Sequence, residues 1–225
     1  MIELRDVCLQ AGKFRLEHLS LQVNVGEYVV LMGRSGQGKT TILETICGLR
    51  PVESGTILIH GTDVSHWKPA QRGIGFVPQD HVLFPTMTVQ QQLEFPLELR
   101  GTKLAERKRR IDELARVLDL SHLLARFPKG LSGGEAQRVA IGRALSFEPA
   151  VLLLDEPLSS LDDDLRRELH QLLKTVRQNT NAAILHVTHN EDDARALADR
   201  ILVLSNGRIT STQDSAAFAQ GKRNE

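Results

Sequence analysis

Short apolar runs rich in β-branched residues alternate along this chain with stretches of helical periodicity. Such alternation is typical of a largely parallel β-sheet that is flanked by helices. The run 151–154 is apolar at every position, so it predicts a central strand that is covered on both faces. Six strands are predicted in this way, over residues 28–32, 56–59, 75–77, 151–154, 183–187 and 201–204.

Two other stretches show different patterns. Residues 2–25 alternate more regularly between apolar and polar positions, which predicts an antiparallel sheet at the edge of the fold. Residues 85–129 contain few β-branched runs and carry two helical patterns instead, over 89–99 and 104–118. In the second pattern the basic run 107–110 could touch phosphates, but a solvated helix face is the better interpretation.

These patterns together predict the domain organisation. We expect a single α/β domain over residues 1–225, with an N-terminal antiparallel β-subdomain and a mostly parallel main sheet. Residues 1–84 and 130–225 would form the α/β core, and 85–129 would form an inserted α-helical subdomain. Residues 211–225 are small and polar, and we expect a frayed end there.

Composition removes several classes of protein. The 225 residues carry 28 basic and 28 acidic side chains, so net charge offers no argument for binding nucleic acid or an anionic membrane surface. No apolar stretch approaches the roughly 20 residues that cross a bilayer, and the N-terminus has no signal-peptide pattern. The two cysteines, Cys8 and Cys47, lie in apolar contexts that favour buried free thiols. We therefore expect a soluble chain whose membrane role, if it has one, comes through a partner.

A glycine-rich segment after the first predicted buried strand carries the strongest chemical signal. Residues 33–40 match the pattern G-x-x-x-x-G-K-[ST], the P-loop or Walker A motif, and an apolar helix follows. Its glycines allow backbone N–H groups to surround a phosphate, Lys39 would reach the β- and γ-phosphates of ATP, and Thr40 would ligate Mg²⁺. A plain turn before a helix would not require Lys and Thr at these places. The residues expected to bind nucleotide here are Gly33, Arg34, Ser35, Gly36, Gln37, Gly38, Lys39, Thr40 and Thr41.

A pair of acids supports this interpretation. Asp155 and Glu156 directly follow the predicted central strand, at the end of the sheet where α/β proteins place ligands. Asp155 suits a Mg²⁺ contact, and Glu156 suits a base that orients an attacking water. Two acids at a strand end can also simply face solvent, but here they follow a complete P-loop.

The P-loop alone leaves kinases, GTPases, helicases and transport ATPases open. The segment 131–135, Leu-Ser-Gly-Gly-Glu, precedes an apolar helix, and Ser132 and Glu135 are spaced as a capping box that needs no ligand. A capped helix behind Gly133 and Gly134 is also an anion site, so both interpretations can hold.

Taken together, the motifs resemble those of ABC ATPases. The segment 131–135 resembles the family's signature sequence, and 155–162 resembles its Walker B motif and D-loop. Gln79 matches the Q-loop, which in the family contacts Mg²⁺ and the membrane partner. His189 matches the switch histidine that contacts the γ-phosphate, whereas His186 is interpreted as packing within a strand. With the P-loop these make five motifs, and they occur in family order from residue 33 to 189.

The resemblance implies a mechanism and partners. The signature of one subunit would close over ATP held by the P-loop of the other, so Ser132, Gly133 and Gly134 would bind nucleotide in trans within an ATP-dependent homodimer. Glu156 would polarise the water, with His189 stabilising charge as the γ-phosphoryl leaves. The cofactors implied are ATP and Mg²⁺. The chain would sit in the cytoplasm on the inner face of the membrane, beneath permease subunits and, for an importer, an upstream substrate-binding protein.

Several alternatives remain at this stage. The motifs look closest to bacterial importer ATPases, but ATPases of lipoprotein-release or cell-division complexes share them. A soluble ABC ATPase that acts on nucleic acid or ribosomes would need insertions or a second cassette, and a small-molecule kinase would not need Gln79 and His189. The aromatic residue that usually stacks on adenine is also missing, because Ala11 occupies its place. Phe14, the nearest aromatic, is interpreted as core.

Overall fold

Two β-sheets and six α-helices form the framework of the protein in the part of the chain described here. The structure, a computed structural model, describes residues 1–12, 14–80, 82–159 and 161–212. In chain order the elements are β1 (Ile2–Ala11), β2 (Phe14–Val23), β3 (Tyr28–Met32), α1 (Lys39–Cys47), β4 (Ser54–Ile59), β5 (Thr62–Asp63), β6 (Ile74–Val77), α2 (Val89–Leu99), α3 (Leu104–Val117), α4 (Gly133–Leu145), β7 (Val151–Asp155), α5 (Asp163–Asn179), β8 (Ala183–Thr188), α6 (Glu191–Leu197), β9 (Arg200–Ser205) and β10 (Arg208–Thr212).

The larger sheet positions the functional residues. Its strand order is β10-β9-β3-β8-β7-β6, and all neighbouring pairs are parallel except β9 and β10. Strand β7 is buried at every residue between β6 and β8, which confirms the predicted central strand. In the register, Met32 is opposite Thr188, and Asp155 is opposite Val187. The carboxyl ends of β3, β7 and β8 therefore meet at one edge of the sheet.

The smaller sheet confirms the antiparallel N-terminal region. Its order is β2-β1-β4-β5, with every neighbouring pair antiparallel. Apolar side chains of this sheet, such as Leu4 and Ile57, share a hydrophobic core with Ile42 and Leu43 of α1 and with one face of the larger sheet. Helix α1 is thus packed between the two sheets, and this packing holds the P-loop at its N-terminus in place.

The helices of the segment 85–129 pack onto the other face of the larger sheet. Leu93 of α2 and Leu114 of α3 belong to the same buried cluster as Val139 of α4 and Leu152 of β7. A continuous apolar core therefore joins these helices to the sheet.

The basic run in α3 corrects one expectation. Lys108 and Arg109 are exposed, as a solvated face requires, but Arg107 and Arg110 are only partly exposed. Arg107 pairs with Glu94 and Glu98 of α2, and Arg110 donates to the carbonyls of Leu145 and Ser146. Four consecutive residues cover more than a full turn of a helix, so they cannot all share one solvated face. Leu104, which begins the apolar pattern, is 68% exposed.

Other expectations concern the cysteines and the C-terminus. Cys8 and Cys47 are both free and buried, as predicted, and burial raises the pKa of the Cys47 thiol to about 11. Ser211 and Thr212 belong to β10, so the frayed end does not begin at 211, and residues 213–225 lie outside the described part. Within the described part, no helix combines the length and the apolar character that a membrane span requires.

Candidate functional site

The P-loop lies between the end of β3 and the start of α1. Gly36 and Gly38 have φ angles of 81° and 93°, in the left-handed region that glycine adopts without strain. A Cβ atom on Gly38 would lie 2.4 Å from Cε1 of Phe14. Glycine at position 38 is therefore required both by the turn and by the close packing of the loop against β2.

Lys39 is held inside the loop. Its ammonium group donates to the carbonyl oxygens of Gly33 at 2.8 Å and Arg34 at 3.2 Å. The side-chain oxygen of Gln37 accepts a hydrogen bond from the backbone N–H of Arg34 at 3.0 Å. The loop is thus braced by two of its own side chains, and a positive charge lies at its centre, where a phosphate group would be stabilised.

Thr40 and Asp155 meet although 115 residues separate them. The Thr40 hydroxyl donates to Oδ1 of Asp155 at 3.2 Å. Burial raises the pKa of Asp155, the charges of Glu156 and Glu44 add to this, and the Thr40 hydrogen bond opposes it. A nearby cation would offset that destabilisation of the carboxylate. A hydroxyl, a carboxylate and the amide oxygen of Gln79 form a set of hard oxygen donors, which suits Mg²⁺.

No group of three or more His, Cys, Asp or Glu side chains that could hold a metal ion occurs among the described residues. Thr40, Gln79 and Asp155 stay the predicted ligands of Mg²⁺.

Glu156 and His189 form the second contact at this edge. The N–H of Glu156 donates to the carbonyl of Val187 in β8 at 2.9 Å, and its φ angle of 48° then turns the chain away from the direction of β7. Nδ1 of His189 lies 2.8 Å from Oε1 and 2.9 Å from Oε2 of Glu156. Because a carboxylate only accepts, Nδ1 carries the proton. The Glu156 side chain is 10% exposed and that of His189 is 58% exposed. Glu156 is therefore held by the surrounding protein, while His189 is open to solvent.

A cavity of about 390 Å³ brings most of the predicted residues together. Gly33, Arg34 and Gln37 do not line it and instead border a neighbouring hollow of about 370 Å³ beside β9. Asp155 does not line the cavity, but it contacts Thr40, which does. The cavity is lined by Ala11, Phe14, Ser35, Gly36, Gly38, Lys39, Thr40, Thr41, Gln79, Glu156 and His189.

Phe14 packs against the hydrophobic core, as the sequence predicted, but its place at the wall of the cavity was not predicted. It is half-buried and lines the cavity beside Ala11, with its ring against Gly38. The strand β2 begins at Phe14, so its side chain alternates toward the P-loop while Arg15 is exposed. The position of Phe14 two residues before the buried Leu16 was the available signal, because both residues then lie on the same face.

The signature residues lie apart from this cavity. Ser132 caps α4: its hydroxyl accepts from the N–H of Glu135 at 3.2 Å, and the Glu135 carboxylate accepts from the N–H of Ser132 at 2.6 Å. Gly134 packs closely on Leu165 of α5, because a Cβ there would lie 2.5 Å from Cδ1 of that leucine. Ser132 and Gly133 are exposed. Within one chain, therefore, Ser132, Gly133 and Gly134 do not line the P-loop cavity.

Comparisons with known proteins agree with this arrangement. The chain matches the family described as "ABC transporter" over residues 16–159. It is 44% identical over 197 residues to the molybdate/tungstate import ATP-binding protein WtpC of Thermococcus kodakarensis, covering 88% of this chain and 60% of that protein. It is 43% identical over 213 residues to the sulfate/thiosulfate import ATP-binding protein CysA of Caulobacter vibrioides, covering 92% of this chain and 63% of that protein.

A solved structure is similar over nearly its whole length. It is a dimeric ATP-binding cassette in a post-hydrolysis state bound to ADP and phosphate, with a TM-score of 0.83 and 30% sequence identity. The match covers 95% of this chain and 98% of that one. By contrast, the chain spans only about 60% of the length of the two curated relatives named above.

Proposed function

The chain belongs to the ABC transporter family, and on that premise we propose that it is the ATP-hydrolysing subunit of a solute importer. It would work as an ATP-dependent homodimer beneath separate membrane permease subunits. One observation carries the proposal: the P-loop, the Thr40–Asp155 contact and the Glu156–His189 pair all lie at the same edge of the parallel sheet. That edge is where α/β proteins bind nucleotides.

The binding step follows from the P-loop geometry. The backbone N–H groups of the P-loop residues that line the cavity, together with the N-terminus of α1, would surround the β- and γ-phosphates of ATP. Lys39 already lies inside the loop on two carbonyl oxygens, so moving its ammonium group onto phosphate oxygens requires only a change of acceptor. Because Lys39 is only 6% exposed, its side chain is already ordered and loses little conformational entropy in that step.

Thr40, Asp155 and Gln79 would hold Mg²⁺ through their oxygen atoms. When bound, the ion neutralises charge on the phosphates. The sites for the ion and for the phosphates then share Thr40, whose hydroxyl is in contact with Asp155 and whose backbone belongs to the P-loop.

Glu156 would act as the base that orients the attacking water. Its carboxylate lies at the end of β7 beside the cavity and accepts a hydrogen bond from His189, so the imidazole fixes its direction. His189 would in turn contact the γ-phosphate as charge develops there. Both side chains line the same cavity as Lys39, which meets the geometric requirement that base and phosphate site be close.

The signature supports a dimer. Ser132 and Gly133 are exposed at the N-terminus of α4, away from the cavity of their own chain, so they would contact nucleotide held by a second copy. The related solved structure is described as dimeric, which supports this reading. A capped helix end is a suitable contact for the γ-phosphate, because its remaining N–H groups and its dipole favour negative charge.

Import is the direction that the relatives support. The two curated relatives are both named as import ATP-binding proteins, for molybdate/tungstate and for sulfate/thiosulfate. We therefore place the chain on the cytoplasmic face of the membrane, with permease subunits and a substrate-binding protein as partners. Gln79, exposed at the same edge as the nucleotide site, is the residue proposed to sense nucleotide on the side of the permease.

The test is light scattering of the purified Glu156→Gln variant with and without ATP and Mg²⁺. Because this change removes the base but keeps the phosphate cradle, ATP should stay bound and the mass should double only in its presence. Glu106→Gln, an exposed acid-to-amide change in α3, is the matched control and should hydrolyse ATP like the wild type. A Glu156→Gln protein that remains monomeric in saturating ATP would contradict the dimer mechanism.

A further inference from the structure

A buried carboxylate outside the cavity contacts the segment that carries His189. Asp193 lies in the first turn of α6, and its side chain is 2% exposed. Its Oδ1 accepts from Nε2 of His170 in α5 at 2.8 Å, and its Oδ2 accepts from the hydroxyl of Thr188 at 3.4 Å. Burying a carboxylate costs free energy unless it is hydrogen-bonded, so loss of either partner would destabilise this arrangement.

Asp193 holds both sides of His189. Thr188 precedes His189, and the Thr188 hydroxyl also accepts from the N–H of Asn190, which follows it, at 3.0 Å. The side-chain oxygen of Asn190 caps α6 by accepting from the N–H groups of Asp192 and Asp193. The residues before and after His189 are therefore joined at the Thr188 hydroxyl, and that hydroxyl donates to the Asp193 carboxylate.

Arg166 links the Asp193 carboxylate to the segment that follows Glu156. Nε of Arg166 in α5 lies 4.0 Å from Oδ1 of Asp193, and another guanidinium nitrogen of Arg166 donates to the carbonyl of Leu161 at 3.1 Å. Leu161 lies between Glu156 and the start of α5. Helix α5 thus makes two links. Its Arg166 bonds to the segment that follows Glu156, and its His170 bonds to Asp193, next to the segment that carries His189.

We propose that Asp193, held by His170, is a positioning residue that fixes the His189 imidazole on Glu156. This inference rests on the proposed function, because it assigns a role in hydrolysis. Neither Asp193 nor His170 lines the cavity, so both act through the backbone of residues 188–190 and not on the nucleotide. Displacing a catalytic group by about 1 Å costs on the order of 100-fold in rate, so even partial loosening should be measurable.

The experiment compares three substitutions with a neighbouring control, in steady-state ATP hydrolysis at 25 °C. Asp193→Ala and His170→Leu should each lower kcat about 10-fold while KM for ATP stays within about twofold. His170→Arg should keep kcat within about twofold of the wild type, because a guanidinium N–H can donate to Asp193 Oδ1 in place of Nε2 of His170, whose side chain is 11% exposed. Asp192→Ala is the control: it lies in the same helical turn but is 82% exposed, and it should leave kcat unchanged.

The outcomes separate positioning from mere stability. If Asp193→Ala keeps kcat within twofold of the wild type, the inference is wrong. It is equally wrong if activity is lost only in proportion to the folded fraction, measured by thermal unfolding of the same samples. A double variant, Asp193→Ala with His170→Leu, should be no slower than the worse single variant, because both changes break one interaction.

A second measurement does not depend on activity. In NMR spectra of protein with ¹⁵N-labelled histidine, the His189 ring signals should shift or broaden in Asp193→Ala but not in Asp192→Ala. Unchanged His189 signals would overturn the positioning role. A wild-type protein that fails to hydrolyse ATP would count against the proposed function, and the NMR comparison would still decide whether Asp193 positions His189.

Discussion

The P-loop edge and the start of α4 both contain glycines and exposed backbone N–H groups, but they differ in how many of the proposed site residues each brings together. At the P-loop edge, residues from five parts of the chain line one cavity, and Thr40 contacts Asp155 there as His189 contacts Glu156. At the start of α4, Ser132 and Glu135 satisfy each other, and no side chain from the P-loop edge reaches them among the described contacts.

Under the proposed function, this difference predicts how the site is divided between two subunits. The P-loop edge has a positive charge, the proposed base and the proposed metal donors within one chain, so we expect it to bind nucleotide alone. The helix start has only backbone N–H groups and a hydroxyl, which are too few for tight binding but suitable for a contact that forms on closure. Substitutions in the two regions should therefore separate binding from hydrolysis.

Ser132→Arg should have the largest effect on this comparison. A long cation at the exposed helix start would obstruct the approach of a second copy, so hydrolysis should fall at least about 100-fold. ATP affinity, measured by calorimetry on the monomer, should stay within about twofold. Thr88→Arg is the matched control, because Thr88 caps α2 with the same reciprocal pair of bonds to Gln91. Equal loss of binding and hydrolysis in Ser132→Arg would mean that the signature acts within its own chain.

Lys39→Ala should weaken the binding of ATP at the P-loop edge. The change removes charge-assisted hydrogen bonds to phosphate, each worth about 1.5–3 kcal/mol, so ATP affinity should weaken about 10- to 100-fold. Lys108→Ala, which removes an exposed lysine from α3, should bind ATP like the wild type. Unchanged affinity of Lys39→Ala in the same calorimetric assay would contradict the assignment of residues 33–41 as the phosphate cradle.

The smallest effect concerns His186, which lies on β8 three residues before the exposed His189. His186 is fully buried beside the Tyr28 hydroxyl at 2.9 Å, and burial lowers its pKa from 6.5 to about 4, with His170 adding to this and Asp193 opposing it. The unfolded chain takes up the proton more readily, so stability present above pH 6.5 is lost as the pH falls towards 4.

The expected loss is about 1 kcal/mol at pH 6 and about 3 kcal/mol in total below pH 4. It is measured by urea unfolding as a function of pH, and His186→Gln is the reference protein. The wild type should lose more stability than His186→Gln between pH 6.5 and 4. Parallel curves for the two proteins would show that His186 is not held neutral in the folded state.

Much of the fold was predictable because its signals are local. The fully apolar run of β7 and the helical patterns of α2 and α3 came out within one or two residues of their predicted bounds. The inward position of Arg107 and Arg110 was not predictable, because it depends on Glu94 and Glu98 of α2 and on the carbonyls that end α4.

The candidate site divides in the same way. The P-loop, the two acids and the capping box are each defined within a few consecutive residues, so spacing identified them. Phe14 packs against the core as predicted. Its contact with Gly38 at the cavity was not predicted, because that contact depends on how β2 packs against the P-loop.

The sequence by itself determined which residues can do chemistry, since glycine conformations, strand burial and helix capping depend on neighbours along the chain. Only the tertiary structure decided which of them meet. Thr40 contacts Asp155, and His189 contacts Glu156, because the parallel strands β3, β7 and β8 end at a common edge. The bond from His170 to Asp193 likewise exists only where α5 packs against α6, and no local pattern records that distance.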